Sequence, residues 1–215
     1  MIGRTLTGII ITAFVILTNT TVFAQESRFK YDDMGYYSEN MTTVKINGKW
    51  GCIDKNGVEI IPAIYDEIGG FGWLDTEDIA TIKRDGKMGY INRAGKEIIA
   101  PKYDLTTDFM DGRGKVMTDG KWGFVDKMGK EIVPLVYDEA QFFRDDYTQV
   151  KKNGKWGFID KNGKEIGKLI YDKIYPWGFE EGITAAKRNG KWGFINREGM
   201  EVIPPKYQET SRWLF

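Results

Sequence analysis

The chain has 215 residues, of which 41% are hydrophobic and 14% aromatic, so it is long enough to bury a substantial core. Its 31 Lys and Arg residues balance 31 Asp and Glu residues, which argues against non-specific binding to nucleic acid or to an anionic membrane. There is no histidine, which removes the usual general base and most zinc sites.

The first 24 residues have the pattern of a secretory signal peptide. Arg4 is their single charged residue, and residues 8–17 form an apolar stretch shorter than the roughly 20 residues that a membrane-spanning helix needs. Val22 and Ala24 suit cleavage before Gln25. We therefore predict a protein exported to the periplasm or the exterior, with no stable membrane span after cleavage. The alternative is an uncleaved N-terminal anchor.

Residues 25–215 contain five copies of one motif. Each copy begins with Gly-Lys-Trp-Gly, or with Gly-Lys-Met-Gly in the second copy. A glycine, a glutamate and a tyrosine follow at fixed distances from this anchor Trp or Met. The repeat heads span residues 48–66, 86–104, 120–138, 154–172 and 190–208, and residues 29–37 form a partial repeat that has the Tyr-Asp tail without a head.

Each copy predicts a short antiparallel meander. Asn153-Gly154 and its equivalents favour a two-residue type I′ hairpin, which needs positive φ at both positions. The strand that follows, as in residues 156–160, has apolar residues on both faces and is expected to be covered on both sides. Gly163 then suits a left-handed turn position, and residues 59–62 exemplify a third strand that we expect to end at its proline.

The anchor residues and the glycine after each of them suggest how the copies pack. We expect the Trp anchors to lie in the core, where truncation to Ala would cost about 3 to 5 kcal/mol each. A glycine inside a strand is favoured where another backbone approaches closely, and we expect a neighbouring repeat to pack there.

The order Gly-Lys-Trp-Gly-Phe-Ile-Asp-x-x-Gly-x-Glu-Ile-Ile-Pro-x-x-Tyr-Asp resembles the bacterial WG-repeat (KWG) family over residues 29–215. The resemblance implies a β-repeat architecture, at most a loosely defined interaction role, and no catalytic residues. We predict an all-β fold of five tandem antiparallel β-meander repeats in an open curved stack, because the last copy keeps its own tail at Tyr207 and Trp213. The alternative is a closed, β-propeller-like ring.

The recurrence of the acidic residues favours a structural role for them over a catalytic one. A catalytic carboxylate pair would be expected once, whereas an aspartate ends every head except the last, so we expect these aspartates to accept hydrogen bonds at turns. Asp54 and Asp160 faintly suggest calcium loops, but Val58 and Lys164 stand where the next oxygen ligand belongs, which favours plain turns. We therefore predict no catalytic, cofactor-binding or metal-binding residues.

The chain has one cysteine, Cys52, at a position where the other copies carry Tyr or Phe. It cannot form an internal disulfide. We expect it to be buried as a small hydrophobic residue, and the alternative is pairing with another chain.

Two linkers break the repeat and hold the candidate binding residues. Residues 69–78 contain Trp73, and residues 174–181 contain Tyr175 and Trp177, aromatics with no counterpart in the other copies. Insertions in repeat proteins map to loops and often to the binding face. We predict exposed contacts at Trp73, Tyr175 and Trp177, against the alternative that they fold back on the sheet.

Repetition without unique chemistry predicts an exported, non-enzymatic protein-interaction or scaffold module of the bacterial envelope. Its partner is then another protein. The alternative is a carbohydrate-binding protein or a carboxylate-dependent glycosidase, motivated by export, aromatic residues and acidic residues, with glycan as the partner. A third possibility is an array that only reinforces a complex of other chains.

Overall fold

The computed structural model describes residues 31–35, 37, 40–71 and 78–208. These residues form twenty β-strands in five separate four-stranded antiparallel sheets, and no helix occurs among them. Within each sheet, strands that are consecutive in the chain are hydrogen-bonded neighbours, so every sheet is a meander. The predicted all-β fold of tandem meanders is confirmed.

The strands are numbered in chain order, four to a sheet. Sheet 1 contains β1 (Asp33–Met34), β2 (Met41–Ile46), β3 (Lys49–Asp54) and β4 (Glu59–Tyr65). Sheet 2 contains β5 (Glu67–Ile68), β6 (Ile79–Arg84), β7 (Lys87–Asn92) and β8 (Glu97–Tyr103). Sheet 3 contains β9 (Leu105–Met110), β10 (Arg113–Thr118), β11 (Lys121–Asp126) and β12 (Glu131–Tyr137). Sheet 4 contains β13 (Glu139–Ala140), β14 (Tyr147–Lys152), β15 (Lys155–Asp160) and β16 (Glu165–Tyr171), and sheet 5 contains β17 (Lys173–Ile174), β18 (Ile183–Arg188), β19 (Lys191–Asn196) and β20 (Glu201–Tyr207).

The central hairpin of each sheet has the predicted type I′ turn. In sheet 4, Asn153 and Gly154 have φ of 52° and 76°, which is the pair of positive values that this turn requires. β14 and β15 then pair in an unbroken register from Tyr147 opposite Asp160 to Lys152 opposite Lys155.

The third predicted strand does not end at its proline. β4 runs from Glu59 through Pro62 to Tyr65, where it lies opposite Trp50. Proline is tolerated because β4 is the edge strand of its sheet and because the register shifts between the Trp50 and Cys52 pairs. The expectation that the strand stops at Pro62 was therefore wrong.

The first strand of each sheet comes from the end of the preceding copy. Only Asp66 separates β4 in sheet 1 from β5 in sheet 2, so the chain passes from one sheet to the next within a single residue. In sheet 1 the first strand comes from the partial repeat, and Asp33 lies opposite Lys45 there as Glu67 lies opposite Lys83 in sheet 2. The tail of one copy thus completes the sheet of the next.

The core lies between the sheets in four apolar layers, numbered here by the sheets that they join. Layer 1 joins sheets 1 and 2, and layer 4 joins sheets 4 and 5. In sheet 3, Phe124 belongs to layer 3 whereas its neighbour Val125 belongs to layer 2, and both are at most 1% exposed. Among the described residues no apolar layer joins sheet 5 to sheet 1. The open arrangement is therefore confirmed.

The glycine after each anchor makes room for its own sheet, not for a neighbouring repeat. A Cβ at Gly123 would lie 2.5 Å from the carbonyl oxygen of Val133, which belongs to β12 of the same sheet. The neighbouring repeat instead approaches the turn glycine: a Cβ at Gly129 would lie 2.9 Å from the carbonyl oxygen of Ile98 in sheet 2. The predicted close approach exists, but at the other glycine.

The anchor tryptophans are half-buried, and Trp122 and Trp156 pack against layers 3 and 4, so their expected place in the core is confirmed only in part. The fully buried positions lie two and three residues further on, as in Phe158 and Ile159 beside Trp156. A lysine of the adjacent strand covers the outer side of the anchor ring in four copies, with Lys115 Nζ 4.0 Å from the centre of Trp122. The anchors shield the edge of each layer, and truncating them removes less buried area than expected.

Candidate functional site

The segment from Tyr175 to Phe179 is held in place by side chains of sheet 4. Gln149, which is buried, donates its Nε2 to the carbonyl oxygen of Tyr175 at 2.8 Å. Arg144 donates Nη1 to the carbonyl oxygen of Trp177 at 2.9 Å, and its guanidinium carbon lies 5.9 Å from the Trp177 ring centre. The backbone of this linker is thus fixed although it has no regular secondary structure.

This fixed backbone presents one ring to solvent and leaves the other half-buried. Trp177 is 65% exposed, whereas Tyr175 is intermediate. Both residues line a pocket of about 310 Å³ with Glu180, Ile183 and Thr184. Because the ring of Trp177 stands out from the surface, this side chain has not folded back on the sheet.

Thr184 gives this pocket a polar group. The residue is 2% exposed, and its hydroxyl has no hydrogen-bond partner among the described residues. The equivalent Thr148 of sheet 4 donates its hydroxyl to the carbonyl oxygen of Gln141 at 2.9 Å. A buried hydroxyl without a partner is costly, so this position differs in its polar contacts from the equivalent one in sheet 4. Trp73, the third predicted binding residue, lies outside the described residues.

The aspartate that ends each head joins two consecutive copies. Asp138 accepts a hydrogen bond from Lys121 Nζ of its own copy at 2.5 Å and from the backbone N–H of Gly154, in the hairpin of the next copy, at 3.0 Å. The Lys121 ammonium and the Gly154 N–H hold the pKa of the Asp138 carboxyl below its ordinary value. The same arrangement surrounds Asp104 and Asp172. The predicted role of these carboxylates in turn hydrogen bonds is confirmed.

The recurring glutamate and tyrosine also bond across the sheet boundary. The Tyr65 hydroxyl in sheet 1 donates to Glu97 Oε1 in sheet 2 at 2.7 Å. Arg84 donates to the same oxygen at 2.6 Å. Arg188 and Glu201 repeat the ion pair in sheet 5 at 3.0 Å. These glutamates are therefore engaged in holding sheets together.

In the acidic turns that resemble calcium loops, the aspartate carboxylates accept hydrogen bonds from backbone N–H groups of the same turn. Asp160 Oδ1 accepts the N–H groups of Asn162 and Lys164, each at 2.9 Å. The carboxylate of Asp54 accepts those of Asn56 and Val58 in the same way. Over the described ranges, no three His, Cys, Asp or Glu side chains are grouped as metal ligands would be.

Cys52 is buried with no exposed surface, and burial raises the pKa of its thiol to about 12. This agrees with the prediction of a buried hydrophobic role. Beside it, between sheets 1 and 2, lies a cleft of about 550 Å³ whose walls include Met41, Ile68 and Phe71. The sequence marked Cys52 as unusual but gave no sign of the cleft, which becomes visible only when the layers are compared in space.

Two other residues that shape these surfaces carry no sequence signal. Arg144 lies outside the repeated motif, and its contact with Trp177 spans 33 residues of chain. Lys115 donates Nζ to the carbonyl oxygen of Ala140 in sheet 4 at 2.8 Å, and desolvation lowers the pKa of its amine. Alignment of the copies on each other could have found neither residue, because neither position keeps its residue type from copy to copy.

Within the described parts of the chain, no helix is both long and apolar enough to cross a membrane.

The family model described as the WG containing repeat matches residues 28–50, 50–87, 88–122, 122–156, 156–192 and 192–213. No curated protein matches the chain.

Solved structures with similarity include two of Hsv2. The chain shares 8% identity with Hsv2 from Kluyveromyces lactis at a TM-score of 0.41, covering 76% of this chain and 59% of that one. It shares 8% identity with Hsv2 from Kluyveromyces marxianus at a TM-score of 0.42, covering 76% of this chain and 57% of that one. These low TM-scores carry no information about function.

Proposed function

The chain belongs to the family of proteins built from WG-containing repeats, and from that premise we propose that it is an exported, non-enzymatic interaction module of the bacterial envelope. Export is supported by the signal-peptide pattern of residues 1–24. The partner is another protein, which the array contacts through the linker residues that differ from the repeat. Trp73, Tyr175 and Trp177 are the residues proposed to make that contact.

One observation carries this proposal: the recurring polar side chains are bonded inside the array, while a unique aromatic side chain stands outside it. Asp138 bridges Lys121 and the next hairpin, and Glu97 bridges Tyr65 and Arg84. Groups that hold the stack together are not available for a reaction. Trp177, in contrast, is 65% exposed on a backbone that Arg144 and Gln149 fix.

A fixed, exposed tryptophan suits protein recognition. Interface hot spots are enriched in Trp, Tyr and Arg, and binding is stronger when the contact residues are ordered before the partner arrives. Trp177 and Tyr175 lie in one segment, and Arg144 holds that segment in place, so all three residue types occur together. We therefore expect the binding energy to concentrate at Trp177.

Binding of envelope proteins to the immobilised mature chain, residues 25–215, tests this proposal, with bound proteins identified by mass spectrometry. We expect Trp177→Ala to lose the partner. Met128→Ala is the matched control, because Met128 is a large apolar side chain, 88% exposed, on a turn of sheet 3. A partner retained equally by wild type, Trp177→Ala, Trp73→Ala and the control would contradict the linkers as the binding site.

A carbohydrate ligand is the second candidate, and the pocket at Thr184 favours it. Sugars stack on exposed aromatic rings and need hydrogen-bond partners, and this pocket combines Trp177 with the unpartnered Thr184 hydroxyl and Glu180. Screening wild type against a broad glycan panel separates the two candidates. Binding of a glycan that Thr184→Val weakens would support carbohydrate, and failure to bind any member would remove it.

A further inference from the structure

Layer 4 shows how an apolar layer is filled when its aromatic residues are complete. Tyr147 and Phe158 of sheet 4 pack on Phe179, with ring centres 5.1 and 4.8 Å away. The Arg197 guanidinium lies 5.8 Å from the centre of the Phe179 ring. Three rings and one guanidinium thus close this side of the layer.

Layer 1 has the same frame but carries neither of the two rings that sheet 4 supplies to layer 4. Phe71 takes the place of Phe179, and Arg93 lies over its ring at 5.4 Å as Arg197 does in layer 4. Met41 stands opposite Asp54 as Tyr147 stands opposite Asp160, and Cys52 follows Trp50 by two residues as Phe158 follows Trp156. Met41 and Cys52 therefore replace Tyr147 and Phe158.

Beside these two side chains lies the cleft of about 550 Å³, and the small Cys52 leaves unfilled the part of it that a phenylalanine would occupy. Met41, Cys52, Ile68 and Phe71 give the cleft a mainly apolar lining. An apolar cavity of about 150 Å³ is already large enough to bind benzene. The cleft has the size and the surface for an aromatic ring.

Two polar side chains of the cleft, Thr42 and Arg93, are already engaged. Thr42 donates its hydroxyl to the carbonyl oxygen of Gly35 at 2.9 Å, and Arg93 Nε pairs with Asp78 at 2.7 Å. A charged ligand would have to compete with these bonds or lose its hydration without compensation. A neutral ligand would lose neither.

We propose that this cleft binds a small neutral aromatic molecule with one or two fused rings, of the phenol or indole class. The ring lies beside Met41 and Cys52 and packs against Phe71, as the ring of Phe158 packs against Phe179. This site is separate from the Trp177 surface, since the cleft lies between sheets 1 and 2 and Trp177 lies on sheet 5. It does not depend on the proposed interaction function.

Isothermal titration of the mature chain with indole and with phenol tests the site, with two variants at the same position. Cys52→Phe restores the ring that the third, fourth and fifth copies carry, so binding should weaken by at least about tenfold. Cys52→Ala keeps the space, so binding should persist. Met128→Ala should bind as wild type does, because Met128 is exposed on sheet 3, away from the cleft.

A second measurement does not depend on Cys52→Phe folding. Saturating indole should raise the thermal midpoint of wild type and of Cys52→Ala, because a ligand that binds only the folded chain stabilises it. Absence of binding to wild type, equal binding to folded Cys52→Phe, or a thermal midpoint unchanged by saturating indole would overturn the proposal. Binding that appears only after Trp73→Ala would overturn it too, because the chain itself would then fill the cleft.

Discussion

The aspartates at the copy boundaries are the residues that most directly link one copy to the next. Each is the single residue between the last strand of one sheet and the first strand of the next. Each binds a lysine behind it in the chain and a backbone N–H ahead of it, as Asp104 binds Lys87 and Asp119. This double role explains why Lys and Asp recur together, although the sequence shows only that both recur.

Hydrogen bonds from lysine and from the backbone lower the pKa values of Asp66, Asp104, Asp138 and Asp172. The folding stability should therefore decrease at low pH. A carboxyl whose pKa is lower in the folded state stabilises the fold above its unfolded pKa, near 3.8, and this contribution is lost as pH falls through the folded value. The thermal midpoint should therefore drop as the pH is lowered from 5 to 3.

Asp138→Asn shows whether the aspartates cause that drop. Asparagine keeps an acceptor for the Gly154 N–H but loses the charge that pairs with Lys121. The variant should be less stable than wild type at pH 6, and the difference should shrink towards pH 3. Asp108→Asn is the control, since Asp108 is exposed and makes none of these bonds. A difference that stays constant with pH would contradict this role.

At the scale of elements, the turn glycines are the points where one sheet touches the next. Gly57 and Gly129 have nearly equal φ values, 79° and 81°. Among the described residues no sheet precedes sheet 1, and no atom lies within 4 Å of a Cβ built at Gly57, whereas a Cβ at Gly129 meets Ile98 and Ile99 at 2.9 Å. Substituting Gly57 and Gly129 in turn therefore distinguishes the cost of backbone strain from the cost of disturbing the contact between sheets.

Gly57→Ala should cost about 1 to 2 kcal/mol, the strain of a left-handed alanine. Gly129→Ala should cost that amount and about 1 to 3 kcal/mol more, because the added methyl group must displace sheet 2. Chemical denaturation of both variants measures the difference. Equal losses of unfolding free energy would show that the sheets do not meet at this glycine.

Much of each element could be predicted from the sequence, because turns and strands depend on local chemistry. The Asn-Gly hairpins, the left-handed Gly163 and the strand at residues 156–160 were all correct. The end of β4 was not, because Pro62 is tolerated at a sheet edge that only the pairing reveals. The half-burial of Trp156 was also missed, since Trp156 and the fully buried Phe158 share a face of the strand, and periodicity does not show where along that face the apolar layer ends.

The candidate site was predicted less completely than the fold. The exposure of Trp177 was predicted because its linker has no counterpart in other copies. Arg144, which fixes it, and Thr184, which lines its pocket, approach from other strands, and the sequence does not show how these strands stack. The cleft at Cys52 likewise depends on Met41, which becomes its neighbour only through the pairing of β2 and β3.

At the scale of the whole molecule, stability depends on neighbours. In the part of the chain that the structure describes, sheets 2, 3 and 4 each contribute residues to two apolar layers, whereas sheets 1 and 5 each contribute to one. In a linear array of this kind, local stability is set by the contacts of each repeat with the repeats beside it. The terminal sheets should therefore open more easily than the central ones.

Native-state hydrogen exchange of the mature chain tests the open stack most directly. The equivalent central strands β3, β11 and β19 have the same hydrogen-bond pattern, so differences in amide protection between them report on the layers around each sheet. We predict that β11 is the most protected and that β3 and β19 exchange faster. Equal protection of all three would mean that the first and last sheets cover each other, and it would contradict an open array.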